Sequence, residues 1–332
     1  MIKLDLIHSF PIEEYLLTRL ALSPDATEIA VGHKHFRTYD AETGTARAEF
    51  AYPEFLAQLR YSPDGRFIAA ANVADNHPLT RGRLDLFDAA SGALRFSADA
   101  QLPVETAAFD ETGDYLYWNH AQTVHVDEQN TTVEGGIGGV NLKTLQALER
   151  VALPQLQIRN LAIAADGFAC FGRDARGEAQ TVEDANLIFR HFRLHTARRT
   201  GEKVREFDLG IGAGVSAISP DGRLLAVEMV DFRNNERHVS LIDVETGVEA
   251  NLLPLEANTL PVLEFGLGSE YLLCMKEDAE ANYNILRIWR TEDLKLVGEA
   301  QIDLSYHSMT SCLAHSTVAF LGGGKLDLFG LE

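Results

Sequence analysis

Cysteine is scarce in this sequence, with three residues in 332: Cys170, Cys274 and Cys312. They are odd in number and far apart, and each lies in or beside an apolar stretch. That argues against a disulfide framework and against a clustered metal site. Buried free thiols and a reducing, cytoplasmic setting are expected instead. Long hydrophobic runs are missing too. No stretch approaches 18 apolar residues, and Met1-Ile2-Lys3-Leu4-Asp5 lacks the apolar core of a secretion signal,. Basic residues are outnumbered, 29 Lys and Arg against 49 Asp and Glu, for a net charge of −20. Duplex DNA and anionic membranes are bound through clustered Lys and Arg, so neither is expected as a partner. Enzyme signatures are also lacking: there is no G-x-S-x-G, no Walker loop and no H-E-x-x-H,. Gly135-Gly-Ile-Gly-Gly139 imitates a phosphate cradle but precedes a strand rather than opening a helix, so a hairpin or bulge role is expected,.

What the sequence has is an internal repeat. Leu20-Ala-Leu-Ser-Pro-Asp25-Ala, Leu59-Arg-Tyr-Ser-Pro-Asp64-Gly65, Leu161-Ala-Ile-Ala-Ala-Asp166-Gly167 and Ala217-Ile-Ser-Pro-Asp221-Gly222 share one pattern. Each is an apolar strand, a tight turn, then a second apolar strand. Proline presets φ at the first turn position, aspartate bonds its own backbone, and glycine takes the strained last place. Phe109-Asp-Glu-Thr-Gly113 and Phe265-Gly-Leu-Gly-Ser269 are degenerate copies, and Thr310-Ser-Cys-Leu-Ala-His315-Ser316 keeps the shape without the turn residues. A second signature, D-x-x-[ST]-G, follows the better copies at Asp40–Gly44, Asp88–Gly92 and Asp243–Gly247. It reads as a strand end, an aspartate-capped turn and a return strand.

Each repeat therefore predicts four strands, a to d. The units fall at roughly 12–51, 55–98, 103–153, 156–209, 213–256, 258–302 and 306–331. The last lacks its outer strand, and the alternating N-terminal segment 2–8 can supply it. The expected fold is all-β: one domain, a seven-bladed β-propeller of four-stranded antiparallel blades, closed by the N-terminal strand completing the last blade. Six blades is the competing count, should the third or seventh unit fail.

These turns, with Tyr39-Asp40, Phe87-Asp88 and Ile242-Asp243 closing strand c, resemble the divergent bacterial type of WD40-like repeat propeller over essentially the whole chain. The family's Gly-His dipeptide is missing from every unit, and its Trp-Asp pair survives only as Trp289-Arg290. The buried hydrogen-bond network carried by those residues is accordingly not expected here. The resemblance implies a non-catalytic protein-interaction platform, a role that rests on fold analogy. The alternative is a lactonase-type propeller hydrolase acting on a small sugar-derived substrate, for which no converging catalytic set is visible.

Loop lengths suggest where a partner docks. The b–c connections are long in five consecutive units: 72–82, 120–135, 173–186, 230–237 and 276–283. Such loops are either functional or tolerated insertions on a stable scaffold. They hold thirteen acids against six bases, net −7, which would steer a basic protein surface towards them or serve solubility alone. The candidate partner-binding residues are Asp75, His77, Arg81, Asp127, Glu128, Asp174, Arg176, Asp231, Arg233, Asp278 and Glu280. A contrary basic patch, Arg190, Arg193, Arg198 and Arg199 with His191 and His195, reads either as a docking stripe for an acidic group or as charge balance against acidic strands. His33 with His35, and His191 with His195, are the nearest approach to metal ligands, and neither pair has a third ligand at matching spacing. No metal and no cofactor are expected.

Overall fold

The computed structural model describes residues 2–12, 19–32, 35–51, 55–72, 82–101, 103–120, 122–125, 131–154, 156–164, 167–174, 190–198, 202–231, 236–255, 261–278, 283–303, 305–312 and 315–331. Within them the repeated turns trace to named donors and acceptors. Ser23 Oγ donates to Asp25 at 2.7 Å and accepts the Glu28 amide at 2.9 Å. Ser62 and Ser219 repeat both bonds, the first with Asp64 and Phe67, the second with Asp221 and Leu224. In the third unit the polar roles are exchanged. Asp110 stands in the serine's place and accepts the Asp114 and Tyr115 amides, while Thr112 donates to it from the aspartate's place. The degenerate copy thus builds the same turn from the opposite pair.

The second turn is equally uniform. Asp40, Asp88 and Asp243 each accept the backbone amide and the hydroxyl of the Thr or Ser three residues on. The Thr43 amide, then Arg47, hold the Asp40 carboxyl down at about 2. The next residue is in the left-handed region, as Gly44, Gly92 and Gly247 with φ of 69°, 70° and 72°. Unit three does this with Asn141 accepting the Lys143 and Thr144 amides, and with Leu145 at φ 57° where glycine would stand. Leu294, at φ 56°, takes that place in unit six.

The fold is an all-β, seven-bladed propeller of antiparallel blades. Strand β1 (Leu4–Pro11) precedes blade one, which is β2 (Arg19–Leu22), β3 (Glu28–Gly32), β4 (His35–Asp40) and β5 (Ala46–Ala51). Blade two is β6 (Leu56–Tyr61), β7 (Phe67–Asn72), β8 (Gly82–Asp88) and β9 (Leu94–Ala100). Blade three is β10 (Ala107–Phe109), β11 (Tyr115–Asn119), β12 (Gln122–His125), β13 (Thr131–Asn141), β14 (Gln146–Ala147) and β15 (Val151–Pro154). Blades four and five run through β16 (Leu156–Ala164), β17 (Gly167–Asp174), β18 (Arg190–Arg198), β19 (Lys203–Ile218), β20 (Leu224–Asp231), β21 (Glu236–Asp243) and β22 (Glu249–Leu255). They form one seven-stranded sheet, because the 16-residue β19 is the outer strand of one blade and the inner strand of the next. Blade six is β23 (Val262–Gly266), β24 (Tyr271–Asp278), β25 (Tyr283–Arg290) and β26 (Lys295–Ile302); blade seven is β27 (Tyr306–Ser311), β28 (Thr317–Gly322), β29 (Lys325–Leu331) and β1.

The N-terminal strand closes the last blade, and it does more than the sequence implied. It pairs with β29 from Leu4↔Leu331 to Pro11↔Lys325, with a bulge between Leu6 and His8. Ile2 continues past it to bridge Gly298 on β26, its amide 2.6 Å from the Val297 carbonyl. One segment therefore fastens the outer edges of blades six and seven.

The chain divides into two compact units: Met1–Val73 with Asp85–Ser97 and Asn258–Glu332, and Ala74–Leu84 with Ala98–Ala257. In the first, Phe36 and Phe50 stack at 4.3 Å and Phe87 meets both edge-on at 5.5 Å, filling the space between blades one and two. Leu20, Leu22 and Ile29 pack on Cys312, Ala319 and Leu326 of blade seven. In the second, the run 168–171 divides its side chains. Phe168 and Cys170 join Tyr117 and Ile137 of blade three, whereas Ala169 and Phe171 join Leu225 and Val227 of blade five. An inner strand buried on both faces must be apolar throughout, and each large side chain there contributes about 1.5–3 kcal/mol. All three cysteines are free and buried, and burial pushes the Cys274 thiol up to about 12. The 135–139 glycines lie inside β13, where a Cβ at Gly138 or Gly139 would meet the Trp118 or Tyr117 ring. They serve close packing.

Candidate functional site at the b–c ends of the blades

In each blade the a–b and c–d turns share one end and the b–c connections leave from the other. Asp174, Asp231 and Asp278 are the last residues of β17, β20 and β24, the second strands of blades four, five and six. Pairing continues to those ends, with Asp231 opposite Glu236 and Asp278 opposite Tyr283. This corrects the loop reading for units five and six. Only 232–235 and 279–282 lie between the strands, because cross-strand bonding extends through residues counted as loop. Unit three departs as well: β12 pairs with the start of β13, from Gln122↔Glu134 to His125↔Thr131, so much of 120–135 is sheet. Asp75, His77, Arg81, Asp127, Glu128, Arg176, Arg233 and Glu280 lie outside the described residues.

The basic patch is placed by register. Arg190, Arg193 and Arg198 lie on β18, and Arg199 is outside the described residues. On β19 the residues opposite Arg193 and His195 are Asp208 and Glu206. Arg205, from the same stretch, donates to the Glu245 carbonyl and stands 3.5 Å from its carboxylate. At Arg193 and His195 the register sets acids opposite bases. His33 also falls outside the described residues, and His35 opens β4.

Interior polar groups mark this end too. Arg237, counted among the loop bases, donates instead to the fully buried Glu228. Burial raises the Glu228 carboxyl above its ordinary value and Arg237 pulls it back. The sequence signal was available, an acid inside the apolar run 224–230. In blade three Asn119 closes β11 by accepting the Glu105 and Thr106 amides at 2.8 and 2.9 Å and donating to the Pro103 carbonyl at 3.0 Å. Asn72 ends β7 at the corresponding place, yet among the described residues its buried amide oxygen and nitrogen have no hydrogen-bond partner. His120, beside Arg150, is lowered by burial first and by the arginine second. Among the described residues no three His, Cys, Asp or Glu side chains converge to hold a metal ion.

These features define a seven-bladed β-propeller with an added hairpin at the b–c end of blade three. No family model matches the sequence, and no match is found among curated proteins. Solved structures do match. The β-propeller domain of Cps50 (Swd1) from Myceliophteria thermophila superposes with a TM-score of 0.64 at 13% identity, covering 99% of this chain and 100% of that one. Hydrazine synthase from Kuenenia stuttgartiensis gives 0.67 at 13% identity, covering 98% and 96%. At such identity the likeness carries the fold alone.

Proposed function

We propose that this protein is a non-catalytic interaction platform that binds a partner with a basic surface through the b–c ends of its blades. One observation supports the reading: the two ends of the blades differ in what they leave over. At the a–b and c–d end, serine, aspartate and threonine side chains are spent on the turns themselves. At the b–c end lie the added hairpin of blade three, the second strands ending on Asp174, Asp231 and Asp278, and the acidic excess of the connections. The fold does not choose between binding and catalysis, since its structural matches include a protein named for hydrazine synthesis. No described group of side chains favours the hydrolase reading.

The test is a charge-reversed variant, Asp278→Lys with Glu280→Lys, and a second, Asp174→Lys with Asp231→Lys. Each is compared with the parent for proteins recovered from the native cell at low and high salt. Loss of a salt-sensitive partner from the variants supports the reading. An unchanged set of partners, or turnover of a sugar lactone by the purified protein, overturns it.

A further inference from the structure

Strands β1 and β26 are the outer strands of neighbouring blades, each paired on one side, with β29 and with β25. They meet where the chain leads into β1, at the parallel bridge from Ile2 to Gly298. A Cβ at 298 would stand 3.1 Å from the Ile2 carbonyl oxygen, so glycine permits this close approach. Past the bridge, among the described residues, no further backbone bond joins the two. A cleft of about 580 Å³ opens there, with residues 2–5 on one wall and 299–303 on the other. Tyr306 and Phe329 complete its lining, and all of it belongs to the first compact unit.

Both walls alternate. Ile2, Leu4 and Ala300 are half-buried and Ile302 is buried, whereas Lys3, Asp5, Glu299, Gln301 and Asp303 are exposed. With Tyr306 and Phe329 the first set makes an apolar floor, and the second makes a polar rim,. The rim holds three acids and one base, Lys3. Arg287 bonds Glu299 at 2.6 Å and Lys325 lies 3.3 Å from Asp303. Among the described residues Asp5 enters no ion pair, so its carboxylate is left over. An outer strand also leaves backbone N–H and C=O groups unpaired along its free side, and here two such edges border one gap.

We infer that this cleft takes an extended peptide segment of a partner protein, with apolar side chains inward and basic ones outward. Main-chain hydrogen bonds to an open strand edge supply affinity, and pockets for alternate side chains supply selectivity. Every second side chain of the segment meets Ile302, Tyr306 and Phe329, and the others meet the rim,. There Asp5 answers a Lys or Arg at short range, and the net charge of −20 favours one at longer range,. The volume falls within that of ligand-binding clefts, about 300–1,000 Å³.

The experiment titrates the full-length protein calorimetrically with the peptide acetyl-Lys-Val-Lys-Val-Lys-amide, which is expected to bind. Serine for both valines, glutamate for the lysines, or N-methylation of the backbone amides should each weaken binding by about tenfold or more. In the protein, Ala300→Trp fills the cleft, and Asp5→Lys with Gln301→Lys reverses the rim. Each variant should also bind about tenfold more weakly or worse. The second changes only exposed side chains, and circular dichroism with thermal melting shows that both variants are folded. Absence of binding at millimolar peptide overturns the inference. So does equal binding by either folded variant, or by any of the three altered peptides.

Discussion

Ser9 on β1 donates a hydrogen bond to Asp327 on β29, joining residues 318 positions apart. The Tyr306 hydroxyl donates to the other carboxylate oxygen, and Lys325 Nζ lies 3.2 Å from it and 3.3 Å from Asp303. A buried acid thus collects the N-terminal strand, the inner strand and its own strand at the closure of blade seven. Asp327→Ala leaves the Tyr306 hydroxyl buried without its acceptor, and should lower stability by about 3 kcal/mol, whereas Ser9→Ala should cost about 1 kcal/mol. Denaturant unfolding of both variants checks the order; equal losses would remove Asp327 from this role.

Leu145 and Leu294 occupy the left-handed positions that glycine fills in three other c–d turns. An L-residue pays about 1–2 kcal/mol there. Leu294 is 38% exposed, which limits the packing forfeited by removing it and leaves the relief of backbone strain as the larger effect. Leu294→Gly should therefore raise the stability by up to about 1 kcal/mol. The reverse change, Gly92→Ala, should lower it by a similar amount, and thermal melting measures both.

Asn119 and Asn72 make a controlled pair. Both are buried, but among the described residues only Asn119 has partners. Asn119→Ala strands two amides and a carbonyl and should cost about 2–3 kcal/mol. Asn72→Ala removes an amide whose desolvation is uncompensated, so its cost should be clearly smaller. Similar losses in the two variants would show that cavity formation, rather than hydrogen bonding, sets the price.

Glu264 sets a pH dependence whose sign can be worked out. Its folded carboxyl is raised from 4.5 to about 7 by burial, so the folded state holds the proton more tightly than the unfolded chain. The resulting stabilisation is present below about 4.5 and is lost as pH rises through about 7. Glu264→Gln lacks that loss. The stability of the variant relative to the parent should therefore increase between pH 5 and 7.5, measured by denaturant unfolding at each pH. A difference that stays flat across this window would contradict the burial of the ionised form.

The sequence by itself determined what is local. The Ser-Pro-Asp-Gly and D-x-x-[ST]-G signatures determined two turns per blade, since each turn is bonded within about five residues. The unpaired strand at either end of the chain likewise pointed to closure of the last blade. Tertiary structure decided what depends on distant partners. It exchanged Asp110 and Thr112 for serine and aspartate, which an identity pattern hides though the hydrogen bonds are the same. It extended the sheets of units three, five and six into residues counted as loops, because cross-strand pairing depends on the facing strand and not on local composition. It also paired Arg237 with Glu228, and set Asp208 and Glu206 opposite the basic residues of β18. Charge counting along a sequence cannot assign such partners, because register alone decides which residues stand opposite each other.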